Sequence, residues 1–309
     1  MQNISAKVAV FGASNVDIMG FPKRPLIFGD ANVGYSITSP GGVGRNIAEN
    51  LKRLLFDVTL ISFFGDDALS EYLINSCKKL GLPIENSLFL KEEATATFLA
   101  IMDHQNDLAV GISAMEIYEK ITPLHFNTNF ENLRHYDYFV LETNFKSDVM
   151  SFISSHKRNS KLVLDTVSGK KALRAQSILS EVYLLKTNLL EAKMLCNIAL
   201  DKIIDPQILV ETLLEKGVEN VFITLGKEGV IYGNNEIIDR QKSIPSEIIN
   251  TVGAGDSFVS GMIYADALGL SIHDKAKYGM AAAAITVQYN GAVSPEMTIE
   301  NLNKKLNQK

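Results

Sequence analysis

Short apolar runs closed by glycine or polar residues alternate with longer stretches whose apolar positions recur every three or four residues. Val8-Ala9-Val10-Phe11-Gly12 is the first run, and Val58 to Phe63, Tyr138 to Leu141, Lys161 to Leu164, Val182 to Leu185 and Val221 to Leu225 follow. Hydrophobicity that continues through a run instead of alternating fits strands covered on both faces. Between the runs lie helix signals: Ile47, Ala48, Leu51, Leu54 and Leu55 at helical spacing; Leu69 to Leu80 ended by Gly81; Asp148 to His156; and a segment begun by Asp205-Pro206 that ends near Lys216-Gly217. Thr122-Pro123 predicts a further helix over His125 to Leu133, Phe258 to Leu268 and Tyr278 to Val287 two more, and Asn301 to Lys309 a marginal terminal one. The rhythm predicts an α/β chain with a mostly parallel sheet between two helix layers.

Residues 18 to 39 break that rhythm. Pro22, Pro25, Gly29, Gly34 and the adjoining Pro40 sit among scattered apolar residues, a pattern of strands and turns. Ala94 to Met102 pairs with Leu108 to Ile112 through a turn at His104-Gln105-Asn106-Asp107. No repeat, low-complexity stretch or linker divides the chain, so residues 1–309 read as a single domain with two inserted segments, about 18–40 and 94–115.

The chain has 309 residues, enough to bury a large core, and a net charge of -5 with both signs interspersed. That balance gives no attraction to a nucleic-acid polymer. Two cysteines, Cys77 and Cys196, make neither a disulfide framework nor a zinc cluster. With no basic leader and no apolar run long enough to cross a bilayer, the expectation is a soluble, cytoplasmic protein.

Candidate chemistry falls where strands end. Asn15 and Asp17 follow the first run at the edge where open α/β sheets place ligands, although the pair also reads as a polar turn. Gly41-Gly42-Val43-Gly44-Arg45-Asn46 brings bare backbone and an amide that donates and accepts to the start of a helix. Asn188 and Glu191 have the spacing of a capping box, and Thr224, Gly226 and Gly229 lie between two strand-like runs. Gly253-Ala254-Gly255 curls before a helix so that successive amides converge as an anion site. Asp256 at its edge reads either as a helix cap or as a proton acceptor.

In their order, these segments resemble the ribokinase-like (PfkB) carbohydrate and nucleoside kinases along nearly the whole chain. The resemblance implies a three-layer α/β/α core with a small β lid, formed here by the two inserted segments, and a reaction that moves the ATP γ-phosphoryl group to a sugar hydroxyl. It implies Asp256 as catalytic base, with Gly253, Ala254 and Gly255 as anion hole. Asn15, Asp17, Gly41, Gly42, Arg45 and Asn46 fall on the substrate. Asn188, Glu191, Thr224, Gly226, Gly229, Gly253 and Gly255 fall on the nucleotide, with Met280 and Asn290 at the adenine edge. Glu191 would hold Mg2+ through water. The resemblance allows for K+ as well, although Asn250 stands where the family usually has Asp and weakens that expectation.

The pseudouridine-kinase branch of the family is similar at Asp30-Ala31-Asn32-Val33-Gly34, Gly42 to Leu51, Ala114-Met115-Glu116-Ile117, Glu142-Thr143-Asn144 and Asp165-Thr166-Val167-Ser168 followed by Lys170 and Lys171. That places Asn32, Met115, Glu142, Asn144 and Thr166 on the substrate. Thr166, Thr187 and the glutamates at 116 and 142 depart from the shorter side chains usual there, which bears on base preference. The implied partners are a nucleoside or sugar and ATP, with a homodimer formed through the lid. Ribokinase or purine-nucleoside kinase activity, and a non-catalytic sugar- or nucleoside-binding protein, remain alternatives.

Overall fold

The computed structural model describes residues 6–105, 107–126, 130–133 and 135–307. Strands are β1 (Lys7–Phe11), β2 (Asn15–Pro22), β3 (Gly34–Gly41), β4 (Asp57–Ile61), β5 (Phe63–Phe64), β6 (Leu88–Phe89), β7 (Thr97–Met102), β8 (Leu108–Ala114), β9 (Tyr138–Glu142), β10 (Lys161–Asp165), β11 (Leu184–Asn188), β12 (Asn220–Thr224), β13 (Val230–Gly233) and β14 (Ile238–Gln241). Helices are α1 (Val43–Arg53), α2 (Ala68–Leu80), α3 (Glu116–Glu119), α4 (Ser147–His156), α5 (Gly169–Ala172), α6 (Leu189–Leu195), α7 (Pro206–Glu215), α8 (Ala254–Ala267), α9 (Ile272–Thr286) and α10 (Ile299–Leu306).

Eight strands form one sheet in the order β14-β13-β12-β11-β10-β9-β1-β4, parallel from β4 through β12 and antiparallel at β13 and β14. The chain winds outward from β1 in one direction to β4 and in the other to β9 and beyond, so the order reverses beside β1, where an open sheet leaves a crevice. Period-two alternation gives each strand two apolar faces. Val8, Val10, Val140, Val163, Leu184 and Phe222 pack under α1, α8 and α9. Ala9, Phe11, Leu141, Leu164, Leu185 and Ile223 pack under α4 and α7. This is the three-layer α/β architecture expected.

The stop at Gly81 and the start at Asp205-Pro206 act as read: left-handed Gly81 ends α2, and Asp205 caps α7 with Pro206 at its first turn; the structure adds a cap for α2 at Asp67. One helix differs. Pro123–Phe126 and Phe130–Leu133 are separate 3-10 turns; Asn127-Thr128-Asn129 has weak helix propensity, and residues 127–129 lie outside the described residues. A second sheet, β3-β2-β7-β8, continues from the carboxyl end of β1 and is built from the two inserted segments. Its expected connecting turn is described except for Asn106.

Candidate active site

At the carboxyl ends of the central strands, parity sets which side chains face α1 and α8. Position 12 continues Val8 and Val10, Glu142 continues Val140, Asp165 continues Val163, and Lys186 continues Leu184, all on the face those helices cover. Gly12 admits no side chain, because a Cβ there would lie 2.6 Å from the Cα of Gly44 and 2.8 Å from Cγ of Glu142. β1, α1 and β9 thus close on one another through bare backbone.

Glu142 is fully buried and accepts from Ala13 N–H at 2.5 Å through Oε1, and from the Asn144 backbone and side-chain amides at 2.8 and 2.6 Å through Oε2. Burial pushes its carboxyl up to about 7 against those bonds. Asn144 in turn accepts from Lys171 Nζ, and its carbonyl accepts from Arg174. Expected at the substrate, Glu142 and Asn144 are bonded into the floor that fixes the Ala13-Ser14-Asn15 segment.

Above that floor Asn15 Nδ2 donates to Asp17 Oδ1 at 2.6 Å, and the other Asp17 oxygen fills the place a side chain at Gly41 would take. Gly42 caps α1 with φ 102, a conformation costly for residues with a Cβ. Asn46 lies in the second turn of α1 and donates from Nδ2 to Asp256 Oδ2 at 2.9 Å, across 210 residues of sequence. Its Oδ1 is buried and has no partner among the described residues. Arg45 is not part of this group: its guanidinium is buried against Glu49 and Ser76, each at 2.9 Å, and its backbone N–H holds the Ala13 carbonyl.

Asp256 is the third residue of α8, whose N-cap is Gly253 at φ 77 with no side-chain cap. The carboxylate is therefore not the cap, and it is 8% exposed. Burial pushes it up to about 7; Asp165 and Asp17 add to the rise, while the Asn46 bond and the Lys186 charge oppose it. A carboxylate so placed is mostly ionised at mildly basic pH and protonated in acid.

Behind the Gly253 turn opens a mainly apolar cavity of about 450 Å³, lined by Thr224, Gly226, Gly229, Ile244, Pro245, Ala254, Gly255, Phe258, Met280 and Val287 among others. Asn188 lines a cleft of about 350 Å³ beside it and caps α6 in a complete capping box with Glu191. Glu191 is 2% exposed and gathers Thr166 Oγ1 at 2.5 Å, Asn188 N–H at 3.0 Å and Asn188 Nδ2 at 2.7 Å. Oε1 carries only the Nδ2 bond among the described residues, which leaves it able to accept from a metal-bound water. The donor set fits a cation held through water, not one enclosed by carboxylates; among the described residues no group of three or more His, Cys, Asp or Glu could hold a metal ion. Thr166, expected at the substrate, is spent on Glu191.

Three candidates stand elsewhere. Asn32 bonds within its own exposed turn, to Ile27 and Asp30; Met115 starts α3 and packs on the core; Asn290 is exposed beyond α9 and does not line the cavity. Sequence reasoning gave no role to Lys186, whose ammonium donates to Asp165 at 3.0 Å beneath the Gly255 turn. A lysine that keeps the parity of buried Leu184 was the available signal.

The model of the pfkB family of carbohydrate kinases matches residues 5–299. A pseudouridine kinase of Escherichia coli K12 is 26% identical over 296 residues, 96% of this chain and 95% of its own. A guanosine-inosine kinase of Exiguobacterium acetylicum is also 26% identical, over 94% of this chain and 98% of its own. The Arabidopsis thaliana ribokinase solved with ribose and ATP superposes with a TM-score of 0.85 at 20% identity, covering 99% and 100% of the two chains, a likeness of fold.

Proposed function

The chain belongs to the pfkB family of carbohydrate kinases, and we propose that it transfers the ATP γ-phosphoryl group to the 5′-hydroxyl of pseudouridine. The observation that carries the transfer reading is the Asn46–Asp256 pair between the start of β2, which bears Asp17, and the Gly253 turn. Asn46 keeps an acceptor for a sugar hydroxyl, and Asp256 is a buried carboxylate poised near 7 to take the proton of the attacking one. Asn15, Asp17 and the bare backbone of Gly41 and Gly42 orient the ribose. The backbone amides of residues 253–255 face the charge that moves. The apolar cavity suits an adenine base, with Thr224, Gly226 and Gly229 toward its phosphates. Mg2+, when bound, neutralises phosphate charge; Glu191 would hold its water shell, with Asn188 fixing Glu191.

Pseudouridine is favoured by the full-length similarity to a pseudouridine kinase, and the equal identity to a guanosine-inosine kinase keeps a purine nucleoside as second reading. Pseudouridine differs from uridine by an extra ring N–H near the sugar, and a site that pairs it rejects uridine strongly because closure strands an acceptor. Measuring kcat/KM for ribose, pseudouridine, uridine, inosine and adenosine at saturating Mg-ATP tests both points. Equal values for pseudouridine and uridine exclude the pseudouridine reading. No turnover of any acceptor leaves the binding-protein alternative.

The small sheet is read as a lid that keeps water from the donor. One face of it exposes Leu99, Ile101, Val110 and Ile112, a surface a homodimer would cover, which light scattering tests. Among the described residues no helix is long and apolar enough to cross a membrane.

A further inference from the structure

Between the two sheets the chain must cross with its backbone groups still paired. β1 ends at Phe11 and β2 begins at Asn15, and the Val16 N–H already donates to the Ala96 carbonyl beside the small sheet. Ser14 is fully buried at the crossing and belongs to the ladder of neither sheet, so its peptide groups depend on side chains. One hydroxyl serves both: Tyr118 Oη accepts from the Ser14 N–H at 2.7 Å and donates to the Ser14 carbonyl at 3.1 Å. Its other lone pair meets Ser62 Oγ at 2.9 Å, and Ser62 is the residue between β4 and β5, the same crossing point on the neighbouring strand. One proton and two lone pairs thus meet three partners.

The position of Tyr118 in the chain is the second observation. It lies in α3, which follows β8 directly, so the second inserted segment returns to the core at Tyr118 while the first departs at Ser14. Tyr118 is 1% exposed, and its ring is held by Phe63 at 5.3 Å and Phe145 at 5.9 Å, which fixes where the hydroxyl points. Burial pushes its pKa up, so the proton that the Ser14 carbonyl takes stays in place. The residues next along the chain are the bonded pair Asn15 and Asp17, and the Ala13 N–H just before is held by Glu142. Two successive amides are therefore fixed by side chains from β9 and α3.

Taking the kinase reading as its basis, we propose that Tyr118 is a positioning residue for the sugar or nucleoside: its hydroxyl fixes the Ser14 peptide and with it the directions in which Asn15 and Asp17 meet the substrate. It acts through that peptide and ties it to the end of the second inserted segment.

The test compares Tyr118→Phe, which keeps the ring and removes one oxygen, with Ser62→Ala, which leaves both Ser14 bonds in place. Each is assayed with whichever of ribose, pseudouridine, uridine, inosine and adenosine the wild type phosphorylates. For Tyr118→Phe the expected result is a fall of about 10²-fold in kcat/KM for that compound, as for reacting groups set slightly out of place. KM for Mg-ATP and calorimetric binding of Mg-AMP-PNP should stay at wild type, because the cavity assigned to the nucleotide is lined from β12, α8 and α9. Ser62→Ala should match the wild type in all three. Wild-type kcat/KM in Tyr118→Phe overturns the proposal; so does an equal loss on the Mg-ATP side, which would mark a general loosening, and so does a Ser62→Ala protein that reproduces the Tyr118→Phe loss. A Tyr118→Phe protein that fails to fold leaves hydrogen exchange on the wild type to decide. Binding of the phosphorylated compound should slow exchange at residues 115–119 as well as 13–17, and unchanged exchange at 115–119 overturns the coupling. Wild type that phosphorylates none of the five overturns the kinase reading itself, and this inference with it.

Discussion

Asp256 and Asn46 show how one carboxylate acquires its chemistry from neighbours that are remote in sequence. Asp256→Asn keeps size and the contact with Asn46 but removes the proton acceptor, so turnover should fall about 10²- to 10⁴-fold with the fold intact. Near-wild-type turnover would reject the base assignment. In the wild type, kcat/KM should decline as pH drops below about 7, because the protonated carboxyl cannot accept the hydroxyl proton. Stability carries the opposite sign. The folded-state pKa lies above the ordinary 3.8, so between about 4 and about 7 the folded state binds more protons than the unfolded state and is weakened as pH rises. Asp256→Asn should therefore stabilise the folded state at pH 8 by up to ~4 kcal/mol, read as a higher melting temperature, and the gain should shrink toward pH 4. A separate change, Glu191→Gln, keeps most of the capping box yet removes the charge near the phosphates; the Mg2+ concentration for half-maximal rate should rise. An unchanged Mg2+ titration rejects that role.

Elements place these residues through their ends. α8 begins at a left-handed glycine whose added Cβ would collide with the Ala292 carbonyl, so the helix start is locked to the loop after α9. Gly253→Ala should cost at least about 1–2 kcal/mol from the left-handed backbone alone, seen as a lower melting temperature together with lost turnover. Gly255→Ala, two residues on, meets only the end of the Lys186 side chain and no backbone, so it should cost less than Gly253→Ala; a melting temperature unchanged at 253 would mean the turn is not held as described. α6 works differently: its capping box fixes Glu191, and Thr166 from the neighbouring strand end adds a bond that the local motif does not contain.

At the scale of the whole molecule, the opposite edge of the sheet is held by a buried polar cluster. Asp266 at the end of α8 accepts from Tyr138 at 2.6 Å, Tyr183 at 2.7 Å, Lys161 at 2.8 Å and Lys275 at 2.7 Å, which joins α8 and α9 to the amino ends of β9, β10 and β11. Burial would raise its carboxyl, and the four donors together hold it below the ordinary value. Its contribution is thus present above about pH 4 and lost as pH falls through the acid range. Asp266→Asn removes the charge from between two lysines and should cost about 3 kcal/mol with kcat unchanged, because the site lies at the other end of the strands. A melting temperature equal to wild type at neutral pH would show the cluster to be energetically neutral.

Features set by contacts within about one helical turn, or by the period of the apolar pattern, were open to reading in the chain. These include the strand and helix rhythm, the caps at Asp205 and Asn188, the stop at Gly81, and the glycine turns at 41–44 and 253–255. The sequence could not choose between cap and acceptor for Asp256, since both need the same residue at the same spacing; the three-dimensional start of α8 at Gly253 removes the cap reading. Side-chain direction and strand order decided the rest. They turned Arg45 away to Glu49 and Ser76, placed Glu142 and Asn144 under the Ala13 segment, left Asn32 and Asn290 outside the group, and brought Lys186 under Gly255. Each of these depends on which strand is neighbour to which and on the parity of one position along it, and a contact across tens to hundreds of residues leaves no local trace in the pattern that encodes its two ends.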